Sequence, residues 1–207
     1  MTTNTVELLG YYGSDLTHAQ SAWTSTSRDI TEEKRNRIPQ LLEMLAKEGH
    51  HTPFEKSSLH FLVTVDQATH IHLLKHRIGV SINGESARYK ELKEDKFYIP
   101  EDWPTEFQLM LEEYTQIGNT LYHKVLSHLT ETHGRKRAKE SARFFKTFNS
   151  QISMDVMFNF RSFAHFLKLR YDEHAQKEVR DLAGQMLTLV KNIENNPFEH
   201  TLKAYGY

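Results

Sequence analysis

The stretch Lys75-His-Arg-Ile-Gly-Val-Ser-Ile-Asn-Gly-Glu-Ser-Ala-Arg-Tyr89 (KHRIGVSINGESARY) gathers three cations, a histidine, two serines and two glycines in one run. Lys75, Arg77 and Arg88 supply positive charge, and the two guanidinium forks match phosphate oxygens. Gly79 and Gly84 let the backbone approach a ligand closely. Ser86 and Arg88 are two positions apart and share a face if that piece is extended. The residue types favour a phosphate or diphosphate. No Walker or Rossmann spacing accompanies them, so residue types alone also allow a solvated loop with surface charges.

Composition narrows the setting. The 207 residues suit one domain, read here as residues 1–207 with a single core. Lys plus Arg (26) nearly cancels Asp plus Glu (27), so no global field points to nucleic acid or an anionic membrane, and any anion site must be local. The absence of cysteine excludes disulfides, thiolate metal sites and a cysteine nucleophile, and suits a reducing cytoplasm. The start, MTTNTVELLGYYGSD, lacks the basic and apolar regions of a signal peptide, and the apolar run Leu59–Val65 is too short to span a bilayer. The expectation is a soluble, cytoplasmic protein without membrane or nucleic-acid partners.

Periodicity sketches the fold. Thr5–Tyr12 reads as a strand, and Ser14 or Asp15 as the cap of a helix to Trp23. A helical stretch from Thr31 to Gly49 is kinked or reopened by Pro39. Thr52, Pro53 and Glu55 in TPFE spell a capping box. Leu59, Phe61, Val63 and Val65 alternate as a half-buried strand does, and Asp66 caps a helix to about Lys75. Pro104–Thr132 is the longest helical pattern, with Phe107, Met110, Tyr114, Ile117, Leu121 and Val125 on one stripe. A basic helix (Arg135–Lys146), a strand around Ile152–Phe158, and helices Asn159–Arg170 and Asp172–Ile193 follow. The sum is an α+β fold, a helix-rich single domain around a small antiparallel sheet.

Other clusters have bland readings. Arg143 lies three residues after Glu140 and could pair with it. Asn159, Arg161, His165 and Arg170 could be helix-end and surface charges. His72 and His76 have the i,i+4 spacing of a zinc pair, but without HExxH or cysteine no metal site is expected. No GxSxG elbow supports a serine triad.

Taken together, the motifs resemble the flavin-dependent thymidylate synthases. That family's signature is Arg-His-Arg, seven residues, Ser, then on into Arg-Tyr; here it reads KHR-IGVSINGE-S-ARY. GSDLTHAQSAWTS (Gly13–Ser25), HHTPFE (His50–Glu55), KFYIP (Lys96–Pro100, a strand in the family), KESAR (Lys139–Arg143), NFRSFAHFLKLR (Asn159–Arg170) and DEHAQ (Asp172–Gln176) match in order. The chain departs from the pattern in four places. Lys75 replaces the first Arg, eight residues separate Arg77 from Ser86, Gly84 stands where Glu is frequent with Glu85 next, and His165 replaces a common Asn.

The resemblance implies methylation of dUMP to dTMP, with 5,10-methylenetetrahydrofolate giving the carbon and NADPH-reduced FAD the hydride. It implies that Ser25, Thr52, Lys75, His76, Arg77, Glu85, Asn159, Arg161 and His165 hold FAD. For dUMP it implies His72, Lys75, Glu85, Ser86, Ala87, Arg88, Arg143 and Arg170, with Arg170 as the catalytic cation. It also implies a homotetramer whose active sites are shared between subunits. The missing cysteine agrees with this chemistry, because the unrelated class of thymidylate synthase uses a thiolate nucleophile. The competing readings are a flavin- or nucleotide-binding module of the same fold that has lost methylation, and a single-stranded nucleic-acid binder built on Arg135–Lys146. Near-zero net charge counts against the latter.

Overall fold

The computed structural model describes residues 2–207. Four strands, β1 (Thr5–Tyr12), β2 (Ser58–Asp66), β3 (Val80–Gly84) and β4 (Gln151–Phe158), form one sheet in the order β1-β2-β4-β3. Residues beside the strands show their directions. The Asp66 N–H, at the end of β2, donates to Asn4 Oδ1 (3.1 Å), just before β1. Glu85 N donates to Ser153 O (2.8 Å) and Asn159 N to Gly79 O (3.1 Å), so β3 and β4 also run in opposite senses. The antiparallel sheet was expected, but β3 was not. Its VSING sequence is too short and polar to show a period. KFYIP, expected as a strand, makes only an isolated bridge between Phe97 and Ser150.

The helices are α1 (Asp15–Trp23), α2 (Glu32–Asn36), α3 (Ile38–Lys47), α4 (Gln67–Leu74), α5 (Thr105–His133), α6 (Arg135–Ala142), α7 (Phe160–Arg170), α8 (Lys177–Lys191) and α9 (Glu199–Ala204). Pro39 opens a new helix rather than kinking an old one, because it sits in the first turn of α3, where its missing N–H costs nothing. The basic helix is shorter than expected: α6 stops at Ala142, and Arg143–Phe145 forms a 3-10 turn. The last long helix starts at Lys177, because the Asp172 carboxylate takes the His174 N–H (2.9 Å) and folds that segment into a turn.

The chain divides into two compact units. One contains Val63–Leu73 and Asn83–Met154 with the residues up to Thr5; the other contains Val6–Leu62, Leu74–Ile82 and Asp155–Tyr207. In the second, the alternating residues Leu59 and Phe61 of β2 and Val156 and Phe158 of β4 are fully buried. Phe163 of α7 stacks on Phe61 (5.8 Å) and meets Phe158 edge-on (5.8 Å), which turns the strand period into an aromatic core.

In the first unit, α5 packs against α6 through Tyr122, Leu126, Ala138 and Ala142. Gly118 is required there, because a Cβ would come within 2.6 Å of the Phe145 carbonyl. The stripe read from sequence faces elsewhere: Phe107, Met110, Tyr114 and Ile117 are 50–62% exposed. Small and polar residues, Thr115, Gly118 and Asn119, form the buried face instead.

Asp15 caps α9 from a distance, accepting from His200 N and Thr201 N, both at 2.8 Å. The Thr201 hydroxyl also donates to Asp15 (2.6 Å), so it must accept from His18 Nδ1 (2.9 Å). His18 Nε2 is then left as the acceptor of the Ser57 hydroxyl (2.8 Å). A neutral histidine satisfies this chain of bonds, and a protonated one breaks it. Burial pushes the His18 pKa down from 6.5 to about 4. Between these values the unfolded chain binds a proton that the folded chain refuses, so stability falls as pH drops through the window and is fully present above it. Denaturant titrations at pH 7 and pH 4.5 should show a loss on acidification on the order of 3 kcal/mol, with His51 and His70 contributing in the same sense. Equal stability at both pH values would contradict the buried neutral histidine.

Candidate active site

Where β4 ends, Asn159 begins α7, its Oδ1 accepting from Ser162 N (2.9 Å). Two further bonds tie this cap to the signature: Asn159 N donates to Gly79 O (3.1 Å) and Ser162 Oγ to Ile78 O (2.7 Å). Gly79 adopts φ +67°, and a Cβ there would run into Ser162 Oγ and the Asn159 amide. The glycine is present for close approach to protein, whereas the sequence suggested approach to a ligand.

Asn159, Arg161 and His165 line one cavity of about 970 Å³, together with Gly79, Lys168 and Tyr205. Arg161 pairs with Glu55 at 2.5 Å. The expected capping box is therefore not made: Thr52–Glu55 is a single 3-10 turn without a side-chain cap bond, and Glu55 turns to the guanidinium instead. His51 Nδ1 lies 3.0 Å from the Tyr205 hydroxyl. Burial lowers the His51 pKa, the Arg161 charge adds to this, and Glu55 opposes it. Burial also pushes the Tyr205 hydroxyl up to about 12.

Arg170 donates from Nε to His76 Nε2 (3.0 Å), so that nitrogen of His76 carries no proton. His76 is buried, with its ring edge-on to Phe166 at 5.0 Å. Because His76 lies beyond the end of α4, it does not share a helical face with His72. Lys75 and Arg77, on either side of His76, are exposed and make no ion pair among the described residues. Ser25 and Thr52 line a separate groove of about 470 Å³, with Trp23 and His50.

The remaining candidates belong to the α5–α6 unit. Glu85 extends the β3–β4 pairing, and its carboxylate binds Lys90 at 2.5 Å. Ser86, Ala87 and Arg88 are not extended: Tyr89 N and Lys90 N both donate to Ser86 O (3.0 Å), closing a turn, and Arg88 N points at Ser86 Oγ (3.3 Å). The turn is held down by Lys139 Nζ on Tyr89 O (2.7 Å), Arg135 on Glu91 (3.0 Å) and Leu92 N on Tyr122 Oη (3.0 Å). Beyond it Lys146, whose side chain is only 3% exposed, binds Asp95 (2.5 Å) and Asn119 (2.7 Å) over the Tyr122 ring. Arg143 does not pair with Glu140. It is exposed and without an ion-pair partner among the described residues, while Glu140 binds Arg88 (3.1 Å). His72 is half-buried on α4.

Sequence reasoning missed Glu55, His51 and Tyr205. Glu55 carried a plausible local role, and the other two reach the cavity only through tertiary packing. The large cavity is of cofactor size. Its amide, guanidinium and imidazole donors, with a tyrosine wall, fit a nucleotide-type cofactor such as FAD.

An α+β fold with a cofactor-sized cavity, and with exposed cations that have no ion-pair partner among the described residues, has the features of a nucleotide-binding protein. The family of thymidylate synthase complementing proteins matches residues 7–194. The flavin-dependent thymidylate synthase of Pseudothermotoga lettingae is 31% identical over 192 residues, covering 91% of this chain and 85% of the relative. That of Thermosipho africanus is 30% identical over 213 residues, covering 96% and 90%. The UMP/dUMP methylase PolB from Streptomyces cacaoi, solved with 5-Br dUMP, has a TM-score of 0.81 at 26% identity, covering 99% of this chain and 95% of that one. The chain belongs to the flavin-dependent thymidylate synthase family.

The clamp around Gly79 yields a prediction. Gly79→Ala must displace Ser162 and Asn159 and forces a left-handed alanine, so it should cost about 1 kcal/mol or more in stability. It should also weaken FAD binding, followed by flavin fluorescence. An unchanged melting temperature together with unchanged flavin affinity would show that the clamp is not needed.

Proposed function

We propose that this chain methylates dUMP to dTMP, taking the carbon from 5,10-methylenetetrahydrofolate and electrons from NADPH through FAD. The observation that carries the reading is the family match over residues 7–194, which includes a signature whose Lys75 and Arg77 stand without carboxylate partners among the described residues. Exposed cations at a signature, with no carboxylate partner among the described residues, are available to anions from solution.

The residues toward FAD are Ser25, Thr52, Lys75, His76, Arg77, Glu85, Asn159, Arg161 and His165. Lys75 and Arg77 offer charge to its diphosphate, and Asn159, Arg161 and His165 offer donors inside the large cavity. When bound and reduced, the flavin supplies the hydride of the reaction. His72, Ser86, Ala87, Arg88 and Arg143 are the residues toward dUMP, with Ser86 and Arg88 taking the phosphate; Ser86 has no base beside it and acts as a donor. Arg170 is the catalytic cation. His76 occupies its Nε and fixes its plane, which leaves both terminal nitrogens for the uracil edge. A fixed cation there favours loss of the N3 proton and so makes C5 a better nucleophile.

We read residues 1–207 as one such domain, working in the cytoplasm; among the described residues no helix is long and apolar enough to cross a membrane. We also assign a homotetramer with shared active sites. The exposed face of α5, with Phe107, Met110, Tyr114 and Ile117, supports it, since an apolar stripe of that length seeks a partner. Light scattering should give four chains per particle, and a monomer at working concentration would refute the assembly.

The function is tested by dTMP formation from dUMP, with and without NADPH, in the presence of FAD and the folate. Product that depends on NADPH is expected. Bound flavin without product would instead favour a binding module that has lost methylation. Arg170→Ala should retain FAD and lose about a hundredfold or more in turnover; full turnover would remove its catalytic role. Arg88→Ala should weaken dUMP about tenfold or more with little change in FAD affinity, and equal losses would reverse the assignment of the phosphates.

A further inference from the structure

The carboxylate of Glu140 occupies an unusual position. Arg88 Nε donates to its Oε1 at 3.1 Å, and Arg137 approaches its Oε2 at 3.7 Å. Lys136 adds to the same positive field. Lys139, the neighbouring residue, reaches Tyr89 O at 2.7 Å on the Arg88 turn, and Arg143 stands one helical turn away without a partner. One monoanion thus sits in the field of three cations, Arg88, Lys136 and Arg137, and it has passed over Arg143, nearby in sequence, for Arg88, fifty-two positions away. The hydrogen bond from the Arg88 guanidinium lowers the Glu140 pKa and favours the carboxylate form.

Arg88 keeps its terminal nitrogens, as Arg170 does, but while Glu140 holds its Nε–H it cannot offer a phosphate the side-on Nε/Nη fork. We propose that Glu140 is a placeholder for the substrate phosphate: it neutralises and orients Arg88, and dUMP displaces it to take the side-on fork. The inference rests on the dUMP reading given above. A phosphate dianion carries more charge and more acceptor oxygens than a carboxylate, so it wins the exchange, but at a cost set by the lost pair and by repulsion from the displaced glutamate. Nucleosides without a phosphate do not compete for Arg88 and are not subject to that cost. Glu140 is thereby a specificity-determining residue.

The test is calorimetric titration of FAD-loaded protein with dUMP and with deoxyuridine, comparing wild type and Glu140→Gln. The glutamine keeps the shape and removes the charge. Removing one exposed ion pair should tighten dUMP about fivefold, lower KM for dUMP correspondingly, and leave deoxyuridine unchanged. In an Arg88→Ala background the gain should vanish. Unchanged or weaker dUMP binding in Glu140→Gln would overturn the proposal and make Glu140 a support that aligns Arg88. An equal gain for deoxyuridine would overturn it too, because the effect would not pass through the phosphate. If wild-type protein binds no dUMP, the substrate reading itself fails and this inference falls with it; if wild type binds dUMP and only the Gln variant disappoints, the substrate reading stands.

Discussion

The bond from Asn159 N to Gly79 O is the constraint on which the large cavity beside α7 depends. It is made at the point where β4 becomes α7, so a single residue closes the sheet ladder, caps the helix and grips the signature. Ser162 repeats the grip one turn later through Ile78 O. Backbone carbonyls of an exposed loop would otherwise be satisfied by water and free to move. Here they are fixed to a helix whose interior face is an aromatic core of Phe160, Phe163 and Phe166, all fully buried. Rigidity made by packing is thereby passed to the residues next to Lys75 and Arg77, and cations placed on such a mount lose less entropy when an anion arrives.

Charge is distributed on the same logic. Where a cation holds the chain together, it is paired: Arg161 with Glu55, Lys90 with Glu85, Arg135 with Glu91, Lys146 with Asp95. Lys146 is the extreme case, nearly sequestered from water, and such an ammonium is tolerable only because a carboxylate, an amide oxygen and the Tyr122 ring surround it. Asp95 accepts strain to serve it, adopting φ +47°. Burial would raise the Asp95 pKa, but Lys146 and His123 bring it below the ordinary carboxylate value. Among the described residues Lys75, Arg77 and Arg143 have no comparable partners, and a near-neutral protein thus keeps local positive fields without a basic composition.

Much of this was legible in the sequence, for reasons that differ by element. β1 was read to the residue from its β-branched, aromatic and leucine content, and β2 and β4 nearly so because one buried face imposes a period of two. Asp66, and Ser14 of the pair Ser14 or Asp15, announced helix starts through capping chemistry that is local by nature, and the helix starts at Thr31 and Asn159 proved to be caps as well. The failures are places where a distant partner outcompeted a local one. Glu55 left its capping box for Arg161, Glu140 left Arg143 for Arg88, and α9 takes its cap from Asp15 rather than from a neighbour. The α5 stripe was identified correctly as apolar, but periodicity cannot say whether the covering surface belongs to the same chain.

The spacing of the signature can be understood in the same terms. Eight residues, not seven, lie between Arg77 and Ser86, and an extra residue inside a strand would flip every following side chain to the other face. Here Ile78 and Gly79 form a turn ahead of β3, with Ile78 89% exposed and Gly79 in the left-handed region. A turn of this kind absorbs a residue without altering the pairing that follows, since its length is not fixed by a ladder. The register from Gly79–Asn159 to Glu85–Ser153 is continuous, so Glu85 and the Ser86 turn keep their places on β4. The departure in spacing therefore falls where the chain has slack.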